Sequence, residues 1–206
     1  MIAKPNVAEL IRRRVEQQSV GEPFTPNAFL DCGKRATVDQ TLSRLVKAGK
    51  IDRIARGIFV RPEMNRFVGK VSPDPMAVAK SISPVVQLHG AEAAWRLGLT
   101  TQVPTQAVYE TSGPSKRIRI GGLELRLRHV SERKLALADH PAGVALAAMW
   151  YLGKREVKES VIEKIRQRLT ASEFEVLKSA TKVMPGWMSA AMTQYSMRTS
   201  TAGIYA

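Results

Sequence analysis

The sequence predicts an α+β fold organised as two domains, and three observations carry this prediction. The chain has 206 residues, a length that suits one large domain or two small ones. Helical and strand-like patterns both occur along it. Prolines and mixed polar residues interrupt the periodicity between Arg61 and Pro75. We therefore expect one domain over residues 1–66 and a second over residues 67–206.

The first domain begins with two predicted helices. Apolar residues recur at helical spacing from Asn6 to Gln17. Thr25 and Pro26 have the form of an N-cap followed by proline at the first helical position. This pair predicts a short second helix that ends at Leu30.

A third helix and a hairpin complete this domain. Lys34 to Ala48 carries an apolar stripe and is followed by Gly49, a residue type that commonly caps the C-terminus of a helix. Residues Ile51 to Val60 form two short β-prone runs joined around Ala55-Arg56-Gly57. Three helices followed by a hairpin of this size predict a winged helix-turn-helix.

The second domain mixes element types. Strands are predicted at four places, the last two forming a hairpin: 85–88, 107–111, 117–120 and 123–130. Short helices are expected at 77–82 and 91–97, and the chain is predicted to be helical from Ser131 onward. Thr170 and Glu173 have the spacing of a capping box. The pattern predicts a C-terminal α+β domain with a small sheet and a helical bundle.

Charge is the most unusual property of the composition. Thirty-two Lys and Arg against 18 Asp and Glu give a net charge of +14, which favours a polyanionic partner, either nucleic acid or anionic membrane. The longest uncharged apolar run, Pro141 to Gly153, is too short to span a bilayer, so we expect no membrane partner. The single cysteine excludes an intramolecular disulfide and suits a reducing, cytoplasmic compartment.

Exposed positions of the third helix are candidates for DNA recognition, because a helical wheel places them opposite the apolar stripe. Arginine and glutamine can bond to guanine and adenine edges, and lysine and threonine can reach phosphates or methyl groups. Any surface helix of a basic protein can show such residues, but the following hairpin carries arginines near its tip, and this combination favours DNA. The predicted DNA-binding residues are Arg35, Thr37, Gln40, Arg44, Lys47, Arg53 and Arg56.

A second basic row alternates with apolar residues along the predicted hairpin of the second domain, so one face of that hairpin is cationic. Two interpretations stay open. The row is either a further nucleic-acid patch or the solvated face of a half-buried pair of strands. Its residues are Lys116, Arg117, Arg119, Arg126 and Arg128.

The sequence offers little for catalysis. His89, His129 and His140 lack the spacing of metal ligands and are interpreted as polar residues at the core edge or in loops. No common nucleotide-binding, zinc-protease or serine-hydrolase motif occurs in the chain. The turn from Thr111 to Ser115 could bind an anion, but more often such a turn only connects two strands. We expect no enzyme activity, no cofactor and no bound metal.

Several segments together resemble the AbiEi-type antitoxins of bacterial abortive-infection (phage-defence) toxin–antitoxin systems. They are Phe24-Thr-Pro26, the segment from Arg35 to Gly57 with the run from Leu42 to Phe59, Ser72-Pro-Asp-Pro75, Gly113-Pro-Ser115, and the block from Val103-Pro104 to Arg119-Ile-Gly-Gly122. The resemblance spans nearly the whole chain. It implies a winged helix that binds inverted repeats in its own promoter, with Arg44, Lys47, Arg53 and Arg56 facing DNA.

The resemblance also implies a partner for the second domain. In that family the C-terminal domain opposes a nucleotidyltransferase toxin encoded beside it, and the toxin's glycine-serine and paired-aspartate signature is missing here. The expected function is therefore an autoregulatory antitoxin, with direct contact to the toxin left open. The alternative is a winged-helix transcriptional regulator whose second domain senses a ligand or forms a dimer, with no toxin. We expect a monomer in solution or a dimer on double-stranded promoter DNA.

Overall fold

The computed structural model describes residues 6–202, with side chains described for residues 6–199. Its contacts divide the chain into two compact units. The first unit runs to Pro84 and includes Arg117–Leu125, and the second comprises Val85–Lys116 together with the chain from Arg126 onward. Helices and small sheets both occur, so the predicted α+β class is confirmed.

The first unit opens with two helical segments. Helix α1 spans Val7–Gln17, and the Asn6 side chain caps it by accepting a 2.8 Å hydrogen bond from the Glu9 amide. The short strand β1, Pro23–Phe24, precedes a 3₁₀ helix over Pro26–Phe29. The predicted short helix is therefore present, with Thr25 as its N-cap and Pro26 in its first turn, but the Thr25 side chain accepts no capping hydrogen bond. The Ala28 amide donates to the backbone oxygen of Thr25, not to its hydroxyl.

Helix α2 spans Arg35–Lys47 and ends as the sequence predicts. Gly49 has a φ of 67°, and its amide donates to the Val46 carbonyl while the Lys50 amide donates to the Leu45 carbonyl. These two bonds are those of a Schellman motif, which satisfies carbonyls left open by the last helical turn. The motif turns the chain directly into the following strand.

A three-stranded antiparallel sheet follows α2. Strands β2, Asp52–Ala55, and β3, Ile58–Val60, form the predicted hairpin, with Arg56 and Gly57 at its tip. Strand β1 pairs with the other side of β3, which gives the order β1-β3-β2. This third strand was not predicted, because two residues are too few to show a period-2 pattern.

The core of this unit joins the helices to the sheet. Phe24 stacks on Phe59 at 6.1 Å between ring centroids and meets Phe29 edge-on at 5.5 Å. The other buried apolar residues of this core are Ile11, Val15, Val38, Leu42 and Ile51. The apolar stripes predicted for α1 and α2 therefore face one another.

The proline-containing stretch between Arg61 and Pro75, where the sequence predicts a domain boundary and no strands, contains a hairpin. Strands β4, Glu63–Asn65, and β5, Gly69–Val71, pair as a second hairpin. The predicted domain boundary between Arg66 and Phe67 falls in the turn of this hairpin. Helix α3, Pro75–Ile82, follows with Asp74 as its N-cap and packs against β1.

A four-stranded sheet matches the strands predicted from the sequence to within one residue at each end. Its strands are β6 (Val86–Leu88), β7 (Ala107–Thr111), β8 (Lys116–Ile120) and β9 (Leu123–His129), in the order β6-β7-β9-β8.

The second unit is mainly helical. Its helices are α4 (Gly90–Arg96), α5 (Pro141–Glu156), α6 (Glu159–Arg168), α7 (Ala171–Ser179) and α8 (Gly186–Ala202), with 3₁₀ turns at Glu132–Leu135 and Ala180–Val183. The capping box of Thr170 and Glu173 is confirmed. Gly90 lets α4 approach α5 closely, since a Cβ there would lie 2.5 Å from the Ala147 carbonyl oxygen. Each helix within residues 6–202 is too short or too polar to cross a membrane.

A hydrogen-bonded cluster ties α6 to α8. The Glu163 carboxylate accepts hydrogen bonds from Arg166, at 3.0 and 2.7 Å, and from the Tyr195 hydroxyl. The Arg166 bonds, followed by the Tyr195 bond, lower the pKa of Glu163 from 4.5 to about 2. The stabilisation is therefore present above pH 4.5 and is lost as the pH falls toward 2.

We expect the Glu163→Gln variant to melt at a lower temperature than the wild type at pH 7, with the gap closing as the pH falls from about 4.5 to about 2. Thermal melts followed by circular dichroism across that range measure the gap. The effect should be small, because exposed ion pairs are screened by solvent. A gap that stays constant with pH would show that Glu163 acts through its shape rather than its charge.

Candidate nucleic-acid interface

The outer face of α2 presents the polar side chains that the helical wheel selected. Val38, Thr41 and Leu42 are buried on its inner face, whereas Gln40, Arg44 and Lys47 are exposed. Thr37 is half-buried, and its carbonyl accepts a 2.8 Å hydrogen bond from the Thr41 hydroxyl. The exposed positions lie within one sector of the helix because they are spaced three and four residues apart.

Arg35, at the start of α2, is engaged with other side chains. Its Nε lies 3.0 Å from both carboxylate oxygens of Asp39, and its Nη1 donates to Asn27 Oδ1 at 3.0 Å. The Asp39 contact is an i,i+4 ion pair, so its spacing was visible in the sequence. Arg35 is therefore less free to contact a ligand than the other predicted residues.

The β2–β3 hairpin adds two cations beyond α2. Arg53 and Arg56 are both exposed, and Arg56 stands at the tip next to Gly57, whose φ of 74° permits the tight turn. A register shift between Arg53 and Ala55 interrupts the pairing of β2 with β3. We call the set Gln40, Arg44, Lys47, Arg53 and Arg56 the α2–wing surface.

The cations of the α2–wing surface have no acidic partner. Within residues 6–199, no ion pair or side-chain hydrogen bond involves Arg44, Lys47, Arg53 or Arg56. Four unpaired cations therefore occur on one helix and the hairpin that follows it.

The three consecutive arginines of α1 behave differently. Arg12 and Arg13 each pair with Glu9 at 3.3 Å, and Arg14 pairs with Asp31 at 2.5 Å. The Arg14 hydrogen bond lowers the pKa of Asp31. Internal pairing thus occupies the cations of α1.

The second predicted basic row alternates as expected. Ile120, Leu125 and Leu127 are buried, while most of the cations between them are exposed. Arg126 is half-buried, and Arg128 Nη1 lies 3.4 Å from His89 Nε2. The pattern fits a half-buried pair of strands, and a nucleic-acid role for the row stays a prediction. Its exposed members are Lys116, Arg117, Arg119 and Arg128.

A comparison with known families identifies the chain. Residues 10–177 match DUF6088, described as a family of unknown function. The chain belongs to the DUF6088 family. No curated protein matches it. Membership in a family of unknown function does not indicate an activity, so only the residues of this DUF6088 protein point to its function.

The histidines of this DUF6088 protein have local structural partners. His89 and His140 cap α4 and α5, accepting hydrogen bonds from the Ala91 and Ala142 amides. Burial, with a smaller contribution from Arg128, lowers the pKa of His89. His129 Nδ1 lies 3.1 Å from the Gly113 carbonyl oxygen. No group of three metal-ligating side chains occurs among the residues described.

The turn from Thr111 to Ser115, a candidate for anion binding, is also held by internal hydrogen bonds. The Thr111 hydroxyl accepts a hydrogen bond from the Gly113 amide at 3.0 Å, and the Ser115 hydroxyl accepts one from the His129 amide at 2.9 Å. These bonds hold the segment between β7 and β8 across the end of β9. The geometry fits the alternative that the turn connects two strands.

Proposed function

We propose that this protein is a DNA-binding repressor that reads duplex DNA through a winged helix-turn-helix. The observation that carries the proposal is the set of four unpaired cations on the α2–wing surface, in a chain of net charge +14. An unpaired cation can displace counterions from phosphates without first breaking an internal ion pair. The two acidic residues on the same helix and hairpin, Asp39 and Asp52, pair with Arg35 and Lys70, so they do not neutralise these four cations.

The order of elements supports the same proposal. Helix α1, strand β1, the 3₁₀ helix, helix α2 and the β2–β3 hairpin follow one another in the order of a winged helix. In such an arrangement the helix before the hairpin enters the major groove, and the hairpin tip contacts the flanking backbone or minor groove. Gln40 and Arg44 are the proposed base readers, and Lys47, Arg53 and Arg56 the proposed phosphate contacts.

Selection from a random duplex library tests this function. The full chain is incubated with the library at physiological salt, and bound DNA is amplified and sequenced over several rounds. We expect enrichment of one motif and, if two protomers bind together, its inverted repeat. Recovery of random sequence after all rounds would contradict sequence-specific recognition.

We further propose, from the resemblance to AbiEi-type antitoxins alone, that the protein neutralises a nucleotidyltransferase toxin encoded beside it. Co-expression with the neighbouring gene product tests this activity. We expect the wild type to restore growth, and we expect a Lys47→Ala, Arg53→Ala, Arg56→Ala triple variant to do so as well. A plain transcriptional regulator would have no toxin to oppose, and growth would be unaffected by the neighbouring gene.

A further inference from the structure

The β4–β5 hairpin exposes its large apolar side chains. Met64, Phe67 and Val68 are 68%, 88% and 73% exposed, and Val71 adds a fourth exposed apolar residue. Single exposed apolar residues are ordinary on protein surfaces, but a contiguous group on one element marks an interaction site. Here all four lie within a hairpin of two short strands.

The backbone edges of this hairpin are open. Among the described residues, no backbone hydrogen bond joins residues 62–72 to an element outside the hairpin. A hairpin of two strands is marginally stable by itself, and an open edge presents amides and carbonyls to any further strand. The hairpin is therefore able to bind another strand along its edge.

The charge of the hairpin favours a protein over a nucleic acid. Lys70 pairs with Asp52 at 2.7 Å, and the Arg66 guanidinium lies over the Phe67 ring, 5.7 Å from its centroid. Among the described residues, Glu63 and Arg66 form no ion pair, so they are one unpaired acid and one unpaired base. The patch is thus neutral in a chain of net charge +14. Two copies of net charge +14 repel each other, and a neutral patch adds nothing to that repulsion. An antiparallel two-fold arrangement of β4 brings the Glu63 end of one strand to the Arg66 end of the other.

The β4–β5 hairpin also lies away from the tip of the β2–β3 hairpin. Strand β3 runs from the turn at Gly57 to Val60, and β4 begins beyond the far end of β3. The Lys70–Asp52 pair holds β5 near the start of β2, which is opposite Val60 in the sheet. The β4–β5 hairpin is therefore at the base of the β2–β3 hairpin, whereas Arg56 is at the tip of the β2–β3 hairpin.

We infer that the β4–β5 hairpin is a self-association surface that binds the same hairpin of a second copy of this chain. Antiparallel edge pairing of β4 supplies backbone hydrogen bonds, and the exposed Phe67 and Val68 in the turn of each copy pack at the Glu63 end of the other copy's hairpin. The inference goes beyond DNA binding and does not depend on it.

Sedimentation velocity of the full chain tests the inference without DNA. We expect a reversible dimer that persists or strengthens when salt is raised, because salt screens the repulsion between two cationic chains. Phe67→Ser and, separately, Val68→Ser should weaken dimerisation roughly tenfold or more. Val103→Ser is the matched control, since Val103 is 62% exposed in the other unit and should leave the dimer unchanged.

Circular dichroism should show all three variants folded, because each replaces an exposed side chain. A wild-type chain that stays monomeric up to about 100 μM would overturn the inference, since such weak pairing is not specific. Equal weakening by Phe67→Ser and Val103→Ser would also overturn it. If Phe67→Ser left the sedimentation unchanged but weakened binding to duplex DNA, the turn of the β4–β5 hairpin would contact DNA and not a second copy, which would also overturn the inference.

Discussion

Replacing Arg44 by alanine is expected to weaken binding to the selected DNA sequence by about 1–3 kcal/mol, with a smaller loss on random DNA. Arg44 is exposed on α2 and has no acidic partner among the described residues, so its guanidinium is available for a guanine edge. Fluorescence anisotropy of the full chain on both DNAs measures the two losses.

Arg56→Ala is the matched comparison for this experiment. Arg56 is equally unpaired but stands at the hairpin tip, where it is proposed to contact phosphates. The loss of Arg56 should weaken binding to the selected DNA and to random DNA by about the same factor. Equal losses on both DNAs for Arg44→Ala would refute its role in base reading, and a loss on the selected DNA alone for Arg56→Ala would indicate minor-groove recognition.

Leu42→Ala is expected to lower the free energy of unfolding by about 2–5 kcal/mol. Leu42 lies on the inner face of α2 and is fully buried in the core of the first unit, so its truncation leaves a cavity. Urea unfolding followed by far-ultraviolet circular dichroism measures the loss. The three tryptophans, Trp95, Trp150 and Trp187, lie in the second unit, so their fluorescence reports whether the loss is confined to the first.

The control for Leu42→Ala is the same substitution at an exposed leucine. Leu10 lies on α1 and is 38% exposed, so Leu10→Ala should cost less than about 1 kcal/mol. A similar cost at both positions would mean that Leu42 is not part of a packed core and that α2 is not seated as described.

Elements with a strong local pattern could be predicted from the sequence. The stripes of α1 and α2, the Gly49 cap and the hairpin of β8 and β9 each depend on neighbours a few residues apart. The β4–β5 hairpin was missed because it is exposed on both faces, so its strands show no alternation of apolar and polar residues. The turn residues Asn65 and Gly69 were the available signal, and nearby prolines obscured it.

The candidate site could be predicted only in part. The wheel of α2 placed Gln40, Arg44 and Lys47 on the exposed side, because helical periodicity determines which side faces the core, whereas Thr37 is half-buried. Pairing depends on distant residues: Asp31 binds Arg14 across 17 positions, which no local pattern reveals. Pairs three or four residues apart on one helix, such as Arg35–Asp39 and Arg13–Glu9, did have a readable spacing. The structure therefore separates free cations from paired ones, which composition could not.

The salt dependence of DNA affinity tests the central claim most directly. Each phosphate contact that is lost should reduce the slope of log K against log salt by about 0.9. The triple variant Lys47→Ala, Arg53→Ala, Arg56→Ala should therefore have a slope smaller by roughly 2–3. The control triple variant, Arg12→Ala, Arg13→Ala, Arg96→Ala, removes the same charge from residues that form internal ion pairs and should keep the wild-type slope. Equal slopes for the two triple variants would contradict the assignment of DNA binding to the α2–wing surface.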